Sequence, residues 1–261
     1  MTRRRAPALL ALPAIVALLL LLLPLLGLVV RAPWGHLGAS LSGSGAGQAL
    51  RLSLETGVVS TLACLVLGVP LAIVLARMSG LPHRVLRALV TVPLVLPPVA
   101  GGIALVLAFG RRGVVGGPVF DATGLSLPFH TPAVVIAQTF VAMPFLVLAV
   151  EGALRSSDRR YEEVAATLGA GRAHVLRHVT LPLVAPGIAS GAALAFARAI
   201  GEFGATVTFA GSFPRTTQTV PLTIALLQVD DLDAAVGLSL ILLVVSVAVL
   251  VLLRGRWMTG G

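Results

Sequence analysis

Two histidines in the second half of the chain have the spacing of metal ligands. His174 and His178 are four residues apart, so that a helix would carry both imidazoles on one face, as it does for paired zinc ligands. No glutamate follows the first histidine, and the sequence offers no third ligand nearby. We therefore favour packed or interfacial histidines, and we predict no metal site.

A second set of polar side chains lies at residues 198–219, where a charged pair precedes several residues with hydroxyl groups. Arg198 and Glu202 are four residues apart in an apolar stretch, and charges inside a bilayer normally face protein or water. Either the pair neutralises itself or it takes part in a transport pathway, and the two interpretations are equally open. Neutral donors suit an oxyanion in transit, although most threonines in membrane helices bond a carbonyl of their own helix. The hydroxyl residues are Thr206, Thr208, Ser212, Thr216, Thr217 and Thr219.

Missing residue types exclude several kinds of enzyme. All 19 basic residues are arginine, so the chain has no lysine for a Walker-type phosphate loop or a Schiff base. Cys64 is the single cysteine, which excludes an internal disulfide and a cysteine-rich zinc site. The sequence also lacks the Gly-x-Ser-x-Gly and His-Glu-x-x-His motifs. We predict no catalytic residue in this chain.

The composition places these residues in a membrane protein. Of the 261 residues, 57% are hydrophobic and 11% are charged, whereas a soluble domain has roughly 25% charged residues. Six runs almost free of charge reach the length of about 20 residues that crosses a bilayer. The predicted fold is an all-α membrane protein with spans at 8–30, 56–76, 88–109, 132–151, 181–203 and 234–253.

The arginines orient these spans. With the N-terminus inside, 13 of the 19 arginines lie on inner segments and 5 on outer segments, which is the bias of cytoplasmic loops. Both termini are predicted to be cytoplasmic, and the net charge of +9 reflects membrane flanks rather than nucleic-acid binding. The arginines at 3–5 and the following leucines resemble a secretory signal, but no small-x-small cleavage site follows. We predict an uncleaved first span.

The long inner loop at 155–182 predicts two short helices joined by a turn. Asp158 is the predicted N-cap, and Glu162 and Glu163 lie near the positive end of the first helix. A glycine-rich turn leads to a second helix that ends at Leu181 and Pro182. On composition alone, a basic amphipathic helix on the membrane surface is the alternative. The small residues that leave one side of the first helix without bulk are Ala165, Ala166, Gly169 and Ala170.

The order of residues in this loop resembles the signature loop of membrane subunits of ATP-binding-cassette importers. That signature is Glu-Ala-Ala, three residues, Gly, nine residues, Ile, one residue and Leu-Pro; here it stands as Glu163-Val164-Ala165, Gly169, Val179 and Leu181-Pro182. The resemblance implies a type I importer permease fold for 51–254, with a first span and outer loop at 1–50 and a cytoplasmic tail at 255–261. It also implies that the loop is a coupling helix docked on a separate ATPase subunit, which would hold ATP and magnesium. The residues assigned to this contact are Glu162, Glu163, Ala165, Ala166, Gly169, Ala170, Leu181 and Pro182.

The segment after the fifth predicted span is similar to the molybdate and tungstate branch of oxyanion permeases. It reads Arg-Ala-x-Gly-Glu-Phe-Gly-Ala-Thr over 198–206, followed by Phe-Ala-Gly and later by Thr-Gln-Thr-x-Pro-Leu. The resemblance implies import of an oxyanion, with molybdate first and tungstate or sulfate as alternatives. It implies a pathway near the outer gate lined by Arg198, Glu202, Phe203, Gly204, Thr206, Thr208 and Ser212.

The same resemblance implies partners and a location. We expect a homodimer in the bacterial plasma (inner) membrane, with ATPase subunits inside and a periplasmic or lipid-anchored oxyanion-binding protein outside. An ion-coupled secondary transporter is the alternative from another class, because Arg198 and Glu202 could form an ion relay. Such a carrier has no use for the loop signature at 163–182, and dependence on ATP separates the two classes.

Overall fold

The computed structural model describes residues 11–35, 37–42 and 45–255, and all regular structure in those residues is helical, which confirms the predicted class. The N-terminal arginines, residues 8–10 of the first predicted span and most of the predicted tail lie outside the described residues. The helices are α1 (Ala11–Val30), α2 (Leu37–Ser42), α3 (Ala46–Arg77), α4 (Gly80–Val95), α5 (Pro98–Phe109), α6 (Gly116–Thr123), α7 (Thr131–Ser156), α8 (Arg160–Thr167), α9 (Arg172–Val175), a π-helical segment (Leu176–Thr180), α10 (Leu181–Ile200), α11 (Gly204–Ala210), α12 (Val220–Asp230) and α13 (Leu232–Gly255).

Six membrane spans fit the helices of the described chain. Five stretches are long and apolar enough to cross a bilayer: α1, α3, α7, the run from α9 through α10, and α13. The pair α4 and α5 supplies a sixth when it is counted as one broken span. No residue of α1 is fully buried against the rest of the described chain, so this helix keeps most of its apolar surface uncovered although it touches α13.

The third span is sharply bent, and the prediction of one helix over 88–109 was wrong in this respect. α4 starts earlier, at Gly80, and α5 leaves its end at an angle of 114°. Proline has no amide hydrogen for a helical bond, and it keeps the residue before it out of the helical conformation. Leu96 and Pro97, which precede Pro97 and Pro98, accordingly have ψ angles of 131° and 136°. The bend lets α5 pack against α11.

Two other span ends differ from the prediction. α3 begins at Ala46 instead of residue 56, so part of the predicted outer loop is helical. The fifth span begins at Arg172 and ends at Ile200, so residues 201–203 lie beyond it. The 11 residues of α12 are too short to cross a bilayer.

Small residues allow the three central helices to approach closely. Gly187 and Gly191 of α10 are four residues apart, and they face Ala153 and Ala149 of α7. Gly68 of α3 packs against α7 in the same way. Membrane helices associate through such small-residue faces, because lipid removes the hydrophobic drive that operates in water. α3, α7 and α10 therefore form one core, which connects the loop at 155–182 to the opposite end of these helices.

Candidate functional site

The loop at 155–182 forms the short helix and the turn predicted for it. The carboxylate of Asp158 accepts a hydrogen bond of 2.9 Å from the amide of Arg160, the first residue of α8. Glu162 and Glu163 follow in the first turn, where carboxylates are stabilised by the positive end of the helix. Gly169 closes the loop with a φ of +86°, which favours glycine because other residues meet steric strain there.

The surface of α8 is more apolar than the sequence interpretation assumed. Of the small residues, Ala166 and Gly169 are exposed. Three larger apolar side chains stand beside them: Tyr161 is 61% exposed, Val164 58% and Leu168 82%. Their spacing of three and four residues marks one helix face, and this periodicity was the available signal for them. The result is an exposed apolar surface on the loop at 155–182, of the kind that marks a protein interaction site.

The loop is tied to the start of the fifth span by one hydrogen bond. Thr180 donates its hydroxyl hydrogen to the Glu162 carboxylate at 2.6 Å, and Thr180 belongs to the π-helical segment that precedes α10. π-Helical turns are rare and occur frequently at functional sites. Leu181 is partly buried, and Pro182 stands in the first turn of α10, the position where proline needs no amide partner. The predicted contact residues are thus brought together on one loop and its exit.

The two histidines lie on the same loop, and their rings stack. The ring centroids of His174 and His178 are 4.2 Å apart with an interplanar angle of 23°, and both residues are exposed. The described residues contain no group of three or more His, Cys, Asp or Glu side chains arranged to hold a metal ion.

Glu202 organises the segment that follows the fifth span. Its side chain is 1% exposed, and one carboxylate oxygen lies 2.6 Å from the Arg198 guanidinium. The other oxygen accepts a hydrogen bond of 2.8 Å from the amide of Ala205 in the first turn of α11. Glu202 therefore neutralises Arg198 and also satisfies an amide that the helix leaves without a partner. This double role makes Glu202 the link between α10 and α11.

α11 and α5 pack so closely that only glycine fits at two positions. A Cβ atom at Gly204 would lie 2.5 Å from the Pro98 Cβ, and one at Gly102 would lie 2.5 Å from the Thr208 Cβ. Phe203, immediately before α11, is 42% exposed. Pro98 and Gly102 were missed from sequence because the contact depends on the bend between α4 and α5.

The hydroxyl groups predicted for the pathway fall into two groups. Thr208 donates to the carbonyl of Gly204 in its own helix at 2.8 Å, so its hydroxyl is already used. The hydroxyls of Thr206 and Ser212 are buried, and they have no partner among the described residues. A buried hydroxyl without a partner loses about 1–3 kcal/mol, so water or a passing polar group would be stabilised there.

Sequence comparison supplies the family. Residues 68–259 match the family described as "Binding-protein-dependent transport system inner membrane component". The chain belongs to this family. It is a multi-pass membrane permease, that is, a component of a transport system and not an enzyme by itself.

Several relatives and solved structures agree with this assignment. The chain is 52% identical to "Molybdenum transport system permease protein ModB" of Mycobacterium tuberculosis over 91% of its length and 90% of that protein. It is 37% identical to the protein of the same name from Escherichia coli, over 81% and 92% of the two lengths. A bacterial ABC transporter involved in the import of alginate shares the fold, with a TM-score of 0.74 and 18% identity over 95% and 93% of the two chains.

Proposed function

We propose that this permease is the membrane subunit of an ATP-driven importer that carries molybdate. The observation that carries the proposal is 52% identity, over nine-tenths of both chains, to a permease named for molybdenum transport. The neutral hydroxyls around α11 support an oxyanion substrate, because full positive charges would bind a dianion too tightly for release. Arg198, which precedes α11, already has Glu202 as its counter-ion.

The coupling surface is the apolar face of α8, with Glu162 and Glu163 in its first turn. A separate ATPase subunit would bind this face and would hold ATP and magnesium. Closure of the ATPase dimer would push α8, and the push would pass through the Glu162–Thr180 hydrogen bond into the fifth span. The glycine contacts between α10 and α7 make that span part of a stiff core. Such a core moves as one body, which an alternating-access mechanism requires.

The pathway near the outer gate lies around α11 and α5. The contacts of Gly204 with Pro98 and of Gly102 with Thr208 hold the two helices together in this conformation. Opening of the gate would separate these helices and expose Thr206 and Ser212 to the passing anion. Arg198 and Glu202 would keep the first turn of α11 ordered while this happens.

A second copy of the chain completes the proposed transporter. One chain supplies one coupling loop and half of a pathway, and α1 presents an apolar surface that its own chain leaves uncovered. The orientation from the arginines puts α8 in the cytoplasm and the segment 110–130 outside, where an oxyanion-binding protein would deliver the substrate. Single cysteines test this orientation: Leu168→Cys should react with a membrane-impermeant reagent only from inside, and Val114→Cys only from outside. Both positions are more than 80% exposed, whereas the native Cys64 is buried.

Substrate competition tests the proposed anion. Proteoliposomes that contain the permease and its ATPase subunits, supplied with the binding protein and ATP, should accumulate labelled molybdate. Unlabelled tungstate at equal concentration should compete, and a hundredfold excess of sulfate should not. Equal competition by sulfate would instead assign the chain to sulfate import.

A further inference from the structure

A buried carboxylate is the centre of a polar network that joins three helices near the proposed coupling loop, outside the sites described above. Glu151 of α7 is 1% exposed, and one of its oxygens lies 2.9 Å from the His83 Nε2 and 2.9 Å from the Arg155 Nε. The other oxygen lies 3.7 Å from the Arg87 Nε. His83 and Arg87 are on α4, so the carboxylate connects the end of α7 to the start of the bent pair.

Arg155 extends this network to the third helix. Its Nη2 donates to the carbonyl of Leu75 at 3.1 Å, which also accepts from the amide of Met78, and it approaches the carbonyl of Met78 at 3.5 Å, just beyond the end of α3. The same Nη2 lies 2.7 Å from the His83 Nε2. A ring nitrogen either donates or accepts, so His83 bonds the carboxylate or the guanidinium but not both at once.

The network also reaches the loop of the proposed coupling helix. Arg159, which directly precedes α8, points its Nη2 at the carbonyl of Ala76 at 3.5 Å. A polar cavity of about 220 Å³ lies between the end of α3 and this loop, and Arg159 and Glu162 line it. One set of charges and carbonyls therefore spans the end of α3, the start of α4, the end of α7 and the entry to α8.

Packing alone does not require this arrangement. Burying a carboxylate costs free energy unless its partners compensate, and apolar side chains of similar size fill such a space at least as well. Ion pairs do, however, fix the relative position of the helices that carry them. None of the residues of α4 is fully buried, although Leu86 and Val90 pack against the core. The contacts of His83 and Arg87 with Glu151 add a directional polar link between the start of α4 and α7.

The geometry points to Glu151 as a positioning residue that transmits movement of the coupling loop to the bent pair α4–α5, and so to the contact between α5 and α11. Movement at α8 reaches α7 and α3 through Arg155 and Arg159, and Glu151 passes it to α4. This inference rests on the proposed ATP-driven import. It adds that hydrolysis can proceed while transport fails if the link between α7 and α4 is broken.

The test is the ratio of molybdate transported to ATP hydrolysed, measured in proteoliposomes with the assembled transporter. Glu151→Gln keeps the shape and removes the charge, and we expect the ratio to fall at least tenfold while ATP hydrolysis stays within twofold. Glu151→Asp retains the charge and should recover part of the ratio. Arg84→Gln is the matched control, because this exposed arginine is on the same turn as His83 and makes no ion pair in the part of the chain that the structure describes.

An unchanged ratio of molybdate transported to ATP hydrolysed in Glu151→Gln would overturn the inference, whether both rates stay the same or both fall in parallel. If that variant does not assemble, His83→Leu removes the bond from the α4 side and should lower the ratio at least threefold. An unchanged ratio there would overturn the inference equally. Uptake by the unaltered transporter is measured in the same experiment. Its absence would refute the proposed function, whereas its presence with an unaffected ratio would refute only the role of Glu151.

Discussion

Moving one methyl group across the interface between α7 and α10 tests whether the coupling loop is joined to a stiff core. A Cβ at Gly187 would overlap the Cβ of Ala153, and the other neighbours of that position are 3.8 Å away. Gly187→Ala should therefore push the two helices apart near the loop. Adding Ala153→Gly removes the obstructing methyl and should let the helices close again.

The expected free energies can be worked out from this contact. Overpacking costs about 1–3 kcal/mol, and replacing glycine by alanine within a helix recovers about 1 kcal/mol, so Gly187→Ala should destabilise by about 0–2 kcal/mol. Ala153→Gly loses about 1 kcal/mol of helix propensity and up to about 0.8 kcal/mol of methyl packing. Independent effects would sum to about 1–4 kcal/mol. The double variant should instead lie within about 1 kcal/mol of the unaltered protein, because the methyl has only changed helices.

Thermal denaturation in detergent and ATP-driven uptake are the two measurements. We expect both single variants to melt at lower temperature, Gly187→Ala to lose uptake, and the double variant to recover both properties. Gly152→Ala is the control on α7, since a Cβ there meets no atom within 4 Å. If the double variant were as defective as the sum of the single variants, the helices would not meet at this contact and the stiff connection would be refuted.

Three further substitutions test the loop and the outer segment. Gly169→Ala should impair uptake because its φ is +86°, whereas Gly171→Ala, at a φ of −69°, should be tolerated; equal effects on uptake would refute the turn. Glu162→Ala loses a charge-assisted hydrogen bond of about 1.5–3 kcal/mol and should lower the transport-to-hydrolysis ratio at least tenfold. An unchanged ratio would count against that bond as the link. Thr206→Val should slow uptake about tenfold, which corresponds to about 1.4 kcal/mol. Thr208→Val should change uptake less than twofold, because the Thr208 hydroxyl bonds a carbonyl of its own helix. A larger effect of Thr208→Val than of Thr206→Val would refute the pathway assignment.

The sequence predicted the number of spans and the shape of the loop because both depend on local features. Runs without charge locate membrane helices whatever their neighbours are. Asp158 accepts a hydrogen bond from the first amide of α8, although the N-cap position belongs to Arg159 and not to Asp158 as predicted, and Gly169 turns the chain just after the helix; both contacts lie within a few residues. The bend at Pro97 and Pro98 was visible as a pair of prolines, but its angle of 114° depends on how α5 packs against α11.

Long-range contacts account for what the sequence could not predict. From the sequence, Glu151 could be placed only at the end of the predicted span 132–151. Its contact with His83 could not be predicted, because the two residues are 68 positions apart. The bond from Thr180 to Glu162 needs the turn at Gly169 to bring the two residues together. The sequence also gave no means of distinguishing Thr206 from Thr208, since only the structure tells which hydroxyl has a helical partner.

The energy source of uptake tests the central claim most directly. Labelled molybdate uptake should be measured in proteoliposomes that contain the permease, its ATPase subunits and the binding protein, with ATP on the side of the ATPase subunits and with ionophores that collapse all ion gradients. We predict that uptake requires ATP, continues without gradients and stops with a non-hydrolysable ATP analogue. Uptake that proceeds without ATP and disappears when the gradients are collapsed would contradict the account and identify an ion-coupled carrier.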